Sequence, residues 1–214
     1  MAPSPAWLPA LDGDAPRAGR GRGEDTLRRI LAAGRECFRT YGYAAARIDD
    51  IVAVAGTSHG AFYLYFRNKE DLLHRLAVGC AERLRTLTAR LEALPRPIAE
   101  AELHAWVADF VAAYHDDGPV IRVWLDNRDP DPLMQALASD ALGPLTAALA
   151  SVIDPALARR VDQQVAGLGL LAMLERLSSY LRDDVPVDLA TATATRLIFA
   201  TTPRRHPDRP VRAV

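Results

Sequence analysis

Apolar residues spaced three or four positions apart along most of the chain are the strongest constraint on its fold. In the first such stretch they fall on one face of a predicted helix over about 25–41: Leu27, Ile30, Leu31, Gly34, Cys37, Phe38 and Tyr41. Comparable stripes follow after each glycine or proline break, and no segment alternates apolar and polar residues long enough to predict a strand. The sequence therefore predicts an all-α fold.

Glycines, prolines and capping residues set the boundaries of the predicted helices. Gly42 ends the first helix, Gly56 ends the second, and Thr57 or Ser58 caps the third. Asn68 caps a long fourth helix through its side-chain oxygen. The predicted ranges after the first helix are 48–55, from the Thr57 or Ser58 cap to about 65, 69–94, 98–115, 119–126, 131–142, 144–153, 155–182 and 187–201.

Composition narrows the class of protein without indicating a function. The chain has 214 residues, half of them hydrophobic, which is enough for a sizeable core. A formal net charge of −1 excludes a histone-like polyanion binder but allows a local basic patch. Two cysteines, Cys37 and Cys80, cannot build a disulfide scaffold or most of a zinc site. We expect a cytoplasmic protein, because the sequence shows neither a secretory signal nor a membrane span. We also expect no cofactor and no metal.

Residues 48–65 have the pattern of a helix-turn-helix, two short helices joined by a tight turn. Small residues, Ala55 and Gly56, stand where the two helices must meet, and Phe62 can close the motif's own core. His59 and Tyr63 then remain on the outer face of the second helix, which such motifs place in the major groove of DNA. A three-helix globular piece without DNA binding matches the same pattern, so the periodicity alone leaves both interpretations open.

The residue identities in this segment are more specific than its hydrophobic periodicity. The run from Gly56 to Leu73 (GTSHGAFYLYFRNKEDLL), and the upstream helix with Phe38 followed by Gly42 and Tyr43, closely resemble the tetracycline-repressor (TetR) family of bacterial regulators. The resemblance implies an all-α homodimer with an N-terminal three-helix helix-turn-helix DNA-binding unit plus a C-terminal helical bundle for ligand binding and dimerisation. It implies contacts to operator DNA at Arg47, Ser58, His59, Gly60, Tyr63, Tyr65 and Lys69.

Two positions depart from the family's pattern. The family usually has threonine at one or both of the positions of Ala46 and Arg47, so a hydroxyl that caps a helix and reaches phosphate is missing here. Ala61 stands where a threonine or serine often contacts phosphate. The expected domains are a disordered arm at 1–23, the DNA-binding domain at 24–70, a ligand-binding and dimerisation domain at 71–202, and a flexible tail at 203–214.

The C-terminal half carries candidate ligand-binding residues. Trp106, Phe110 and Tyr114 recur at every fourth position of one predicted helix, and further large apolar side chains follow at Trp124, Met134, Leu171 and Leu174. Apolar pockets commonly lie between the helices of such bundles. Polar residues that could orient a ligand there are Arg122, Asp126, His115 and Tyr180. The alternative is that these aromatic and aliphatic residues form ordinary core.

The last two helices are the candidates for dimerisation. Their stripes include Leu157, Val161, Val165, Leu168, Leu171 and Leu174 on one helix and Ala190, Ala194, Leu197 and Ile198 on the other. Gly167 and Gly169 permit close approach of another helix. The alternative is that both stripes face the core of their own subunit.

The sequence therefore predicts a repressor that a small apolar ligand releases from a palindromic operator. A helical protein-interaction module without DNA binding stays open as an alternative, since hydroxyls are missing at Ala46 and Ala61. An all-α enzyme is the other alternative. We expect no enzyme, because the paired carboxylate and Glu-x-x-His motifs of di-iron bundles are absent from the sequence.

Overall fold

A computed structural model describes residues 17–125, 131–180 and 186–203, and these residues form helices without any strand. This confirms the all-α fold class. None of the described helices is long and apolar enough to cross a membrane. The helices are α1 (Arg17–Ala45), α2 (Ile48–Ala55), α3 (His59–Tyr63), α4 (Lys69–Glu92), α5 (Glu100–Leu125), α6 (Pro132–Ser151), α7 (Pro155–Ala158), α8 (Gln163–Tyr180) and α9 (Val187–Phe199).

The first helix begins earlier than the sequence predicts. It starts at Arg17, so residues 17–23, assigned to a disordered arm, are helical instead. The glycines there weaken the intrinsic preference for helix. A tertiary contact offsets this, because the hydroxyl of Tyr65 donates a hydrogen bond to the carbonyl oxygen of Gly23 at 3.0 Å. Residues 1–16 of the predicted arm and 204–214 of the predicted tail lie outside the described residues.

Two glycines hold backbone conformations that side chains disfavour, and both stand where the sequence predicts a break. Gly42 interrupts α1 with φ 76° and ψ 157°. Gly56 ends α2 in the left-handed region, with φ 59° and ψ 44°. Glycine reaches these regions without a steric penalty. The short distance from α2 to α3 depends on this turn at Gly56.

Three predicted boundaries in the C-terminal half are wrong. Gly118 and Pro119 lie inside α5, and Pro144 lies inside α6. Buried side chains beyond each proline, such as Ile121 and Leu145, provide the packing that offsets the lost backbone hydrogen bond. The predicted helix 155–182 is instead two helices. Asp162 accepts a hydrogen bond from the amide of Val165 at 2.9 Å and so caps a new start for α8.

The central helix of the fold is α4, which packs against α1, α5 and α6. Its N-terminal end completes the predicted DNA-binding unit, while its buried leucines, among them Leu76 and Leu84, continue into the C-terminal bundle. Buried residues of both halves belong to one continuous hydrophobic cluster. The expected domain boundary after residue 70 falls within α4 and stays a prediction.

A buried ion cluster joins the two halves. Asp117 on α5 is 2% exposed, and Arg83 on α4 donates from Nε to its Oδ2 at 2.5 Å and from NH2 to its Oδ1. Arg35 on α1 places Nε 3.4 Å from the same Oδ1. A buried carboxylate is costly unless it is paired and hydrogen-bonded. The three helices must therefore keep their relative positions for this charge to remain compensated.

We expect Asp117→Ala to lower the free energy of unfolding by about 2–3 kcal/mol, because it removes charged hydrogen bonds and leaves Arg83 without its acceptor. Urea denaturation at fixed protein concentration measures the change. Asp116→Ala is the matched control, since Asp116 is the exposed neighbour. It should change stability by no more than about 0.5 kcal/mol. Equal losses in the two variants would contradict a structural role for the buried carboxylate.

Candidate nucleic-acid interface

The predicted helix-turn-helix is formed by α2 and α3. The sequence leaves Thr57 and Ser58 as alternative caps, and the structure assigns the role to Ser58, whose Oγ accepts from the amide of Ala61 at 3.1 Å. At the start of α2, the amide of Arg47 donates to Oδ2 of Asp50 at 3.1 Å. This carboxylate provides half of a capping box. It replaces part of the capping that the sequence predicts to be lost at Ala46 and Arg47.

The two sides of α3 differ sharply in burial. Phe62 is buried, as are Ile51 and Val52 of α2, the helix against which α3 packs. On the opposite side, Tyr63 is 55% exposed and the side chain of His59 is 54% exposed. Leu64, which follows α3, is 82% exposed. The residue types at these positions thus give α3 one packed face and one solvent-facing side with a phenol and an imidazole.

One carboxylate contacts two of the predicted DNA-contacting side chains. Oδ1 of Asp49 lies 2.7 Å from Nε2 of His59, and its Oδ2 lies 3.3 Å from NH2 of Arg47. All three side chains are more than half exposed. Exposed pairs of this kind contribute little to stability. A phosphate group could therefore compete for Arg47 and His59 at small cost.

Lys69 and Tyr65 are engaged within the protein, although the sequence predicts DNA contacts for both. Nζ of Lys69 donates to the carbonyl oxygens of Tyr43 at 2.6 Å, Ala44 at 3.2 Å and Ala46 at 2.8 Å. It also lies 4.7 Å from the ring centroid of Tyr43. Partial burial lowers the pKa of Lys69. The side chain of Lys69 ties the α1–α2 connection to the start of α4, and Tyr65 anchors Gly23 as described above.

A cavity of about 620 Å³ lies between α5, α6 and α8. Three of the seven predicted ligand-binding residues line it, namely Trp124, Met134 and Leu171. Its other lining residues are Gln135, Ala138, Ser139, Leu142, Gly143, Thr146, Leu168, Ala172 and Glu175. The structure thus brings together the C-terminal end of α5 and the facing sides of α6 and α8.

The other four predicted ligand-binding residues, Trp106, Phe110, Tyr114 and Leu174, are buried core that does not line this cavity. Trp106 faces α4, because its Nε1 donates to the carbonyl oxygen of Leu87 at 2.8 Å. Its ring stacks on Phe110, and Phe110 stacks on Tyr114, with centroids 5.8 Å and 6.3 Å apart. These contacts favour the alternative of ordinary core for this aromatic stripe, and a ligand-binding role of its residues stays a prediction.

Among the described lining residues, the ionisable one is Glu175, which was not predicted from the sequence. Its position four residues after Leu171 on α8 puts the two on one face of the helix, and that spacing was available from the sequence. Burial raises the pKa of Glu175. Of the expected polar residues, His115 and Arg122 are exposed, whereas Asp126 and the side chain of Tyr180 lie outside the described residues.

In the described ranges, one group of side chains has the composition of a metal site. The ligand atoms of Glu70, His74 and Asp131 lie within 4.8 Å of one another. Nε2 of His74 is only 2.5 Å from Oδ2 of Asp131. Two ligands of one zinc ion are separated by about 3.3 Å in tetrahedral geometry. The arrangement is that of a hydrogen-bonded pair, which fastens α4 to the start of α6.

We expect Tyr65→Phe to increase amide hydrogen exchange in residues 17–26, because it removes the hydrogen bond that anchors Gly23. Exchange measured by mass spectrometry on the full chain tests this. Tyr63→Phe is the matched control, since the exposed phenol of Tyr63 should leave exchange in this segment unchanged. If Tyr65→Phe left exchange unaltered and weakened DNA binding instead, Tyr65 would be a DNA contact, as the resemblance implies.

Similarity to known proteins agrees with this geometry. Residues 30–76 match the family model described as bacterial regulatory proteins, tetR family. The chain is 26% identical over 166 residues to the HTH-type transcriptional repressor AcnR of Corynebacterium diphtheriae, covering 75% of this chain and 70% of that protein.

Two solved structures share the fold. The TetR family transcriptional regulator PfmR from Thermus thermophilus matches with a TM-score of 0.63 and 22% identity, covering 82% of this chain and 100% of that one. The transcriptional regulator FadR from Bacillus subtilis, in complex with stearoyl-CoA, matches with a TM-score of 0.57 and 17% identity, covering 82% and 98%. The family model, the relatives and the shared fold agree: residues 30–76 match the tetR family of bacterial regulatory proteins, and the chain has the fold of that family's regulators.

Proposed function

We propose that this protein is a ligand-responsive transcriptional repressor, which binds a palindromic operator as a homodimer and is released by a small, largely apolar ligand. The observation that carries the proposal is the exposed side of α3, where His59 and Tyr63 face solvent while Phe62 holds the helix in place. This surface lies within the stretch that matches the family model. The relative AcnR, whose name describes a transcriptional repressor, supports the sign of regulation.

The residues that contact DNA in this proposal are Arg47, Ser58, His59, Gly60 and Tyr63. The glycine supports close approach of a partner, since a Cβ at Gly60 would meet no protein atom nearer than Ser58 Oγ at 3.8 Å. Internal packing therefore does not require glycine at this position. Leu64 adds an exposed apolar side chain that suits a thymine methyl group. Lys69 and Tyr65 support this surface from within the unit.

The dimer in this proposal forms through α8 and α9. Large apolar side chains remain exposed there, which is unusual for a surface without a partner: Leu157, Val161, Val165 and Leu168 near and on α8, and Val187, Leu189 and Leu197 on α9. Each predicted stripe thus has two parts. The exposed residues are available to a second copy, whereas Leu171, Leu174, Ala194 and Ile198 are buried in their own subunit. Gly167 packs closely against α6, whereas Gly169 faces open space and is free to meet a second copy.

The proposed coupling between ligand and DNA runs along α5. Trp124 lines the cavity, and Asp117 lies two helical turns earlier on the same helix, paired with Arg35 of α1 and Arg83 of α4. A ligand that changes the position of α5 would shift the helices that carry the DNA-binding unit. A coupling free energy of about 1–3 kcal/mol would change operator affinity by roughly 5- to 150-fold.

We expect Tyr63→Ala to weaken binding to an operator duplex by about 5- to 150-fold, because it removes the phenol that faces the duplex. Fluorescence anisotropy at fixed salt measures this, since phosphate contacts make affinity depend on salt concentration. Tyr41→Ala is the matched control: Tyr41 is similarly exposed but lies on α1 outside the helix-turn-helix. A Tyr63→Ala variant that binds as tightly as the control would exclude α3 as the DNA-reading helix.

A further inference from the structure

The lining of the cavity between α5, α6 and α8 is mostly apolar, and its few polar groups differ in charge. Among the described residues that line it, Glu175 is the one with an ionisable side chain. The remaining polar lining consists of neutral groups, including Gln135, Ser139 and Thr146. A ligand in this cavity therefore meets a carboxylate and no lining cation within the described part of the chain.

The carboxylate of Glu175 is poorly solvated. Burial raises its pKa, and the positive charge of neighbouring Arg176 opposes that effect only in part. Arg176 is exposed and does not line the cavity, so it does not face the space that a ligand would enter. A partly buried carboxylate is stabilised when an opposite charge is brought next to it.

Trp124, which lines the cavity, carries a polar atom that needs a hydrogen-bond partner. Trp124 is 7% exposed, and its indole Nε1 is buried without a hydrogen-bond partner among the described residues. The other buried indole on α5, that of Trp106, has such a partner. A buried donor left unsatisfied costs free energy, which an acceptor on a ligand would recover.

We propose that the cavity selects lipophilic cations: an apolar body that carries a cationic nitrogen to pair with Glu175 and a hydrogen-bond acceptor for the indole of Trp124. The inference deepens the proposed function and rests on it, because it assumes that this cavity is the effector site. An anionic amphiphile is disfavoured by the same argument, because it would bring its negative group beside the Glu175 carboxylate.

Three probes with the same ten-carbon chain test the charge class: decyltrimethylammonium and decyl sulfate, each below its micellar concentration, and decanol below its solubility limit. Isothermal titration calorimetry on the full chain should show at least about tenfold tighter binding of the cation than of the other two. Glu175→Gln, which keeps size and polarity, should remove that preference. Glu82→Gln, at an exposed carboxylate of α4, is the matched control and should retain it.

Decanoylcholine tests the acceptor, because it adds an ester carbonyl to the same type of cation. Trp124→Phe keeps an aromatic ring and removes the N–H donor. We expect this substitution to weaken the binding of decanoylcholine by about 3- to 10-fold. The affinity for decyltrimethylammonium should stay within about twofold of the wild-type value. Equal losses for both probes would show that Trp124 contributes packing alone and would overturn the hydrogen-bond assignment.

The outcomes separate this inference from the proposed function. Equal affinity for the three head groups, no binding of any probe, or an unchanged preference in Glu175→Gln would overturn the lipophilic-cation assignment. Each of these results would leave DNA binding by the same protein samples intact. Failure of the wild-type protein to bind DNA would instead overturn the proposed function. A cation that binds wild type and also releases it from a duplex would support both.

Discussion

The compensation of one buried charge holds the DNA-binding unit in a defined position on the C-terminal bundle. Asp117 on α5 is almost fully buried, and its partners Arg35 and Arg83 come from α1 and α4. Because a buried carboxylate is stable only while its partners stay in place, the three helices tolerate few relative positions. The same α5 extends to the cavity wall at Trp124. A displacement of α5 at the cavity would therefore disturb the ion cluster, and through the cluster it would shift α1 and α4.

The aromatic residues near α3 have different roles, which follow from how deeply each is buried. Phe62 and Phe66 are buried and fix the orientation of the short helix, whereas Tyr63 is left on its outer side. Tyr65 lies on the inner side and anchors α1 through Gly23. Lys69 acts similarly on the connection between α1 and α2. Two side chains of the family's contact pattern thus stabilise the frame that presents the others.

Local chemistry explains which features were predictable from the sequence. Gly56 and Asn68 mark helix ends in the structure as they do in the sequence, and Gly42 interrupts α1 where the sequence predicts its end, because each acts on the nearby backbone. Tertiary contacts account for the failures. The hydrogen bond from Tyr65 to Gly23 stabilises a helical conformation in glycine-rich residues, and core packing allows α5 to continue past Pro119. Periodicity placed Trp106 and Trp124 on buried faces, but it could not tell which one borders a cavity, because that depends on the spacing of neighbouring helices.

The most direct test of a paired DNA-reading surface is selection of bound duplexes from a random DNA pool with the wild-type protein. The account predicts enrichment of an inverted repeat, whose half-sites lie about one helical turn apart or a multiple of that, because a two-fold dimer presents two copies of α3. Enrichment of a single unrepeated site would contradict the dimer through α8 and α9. A pool without any enriched sequence would contradict the central claim that α3 reads DNA.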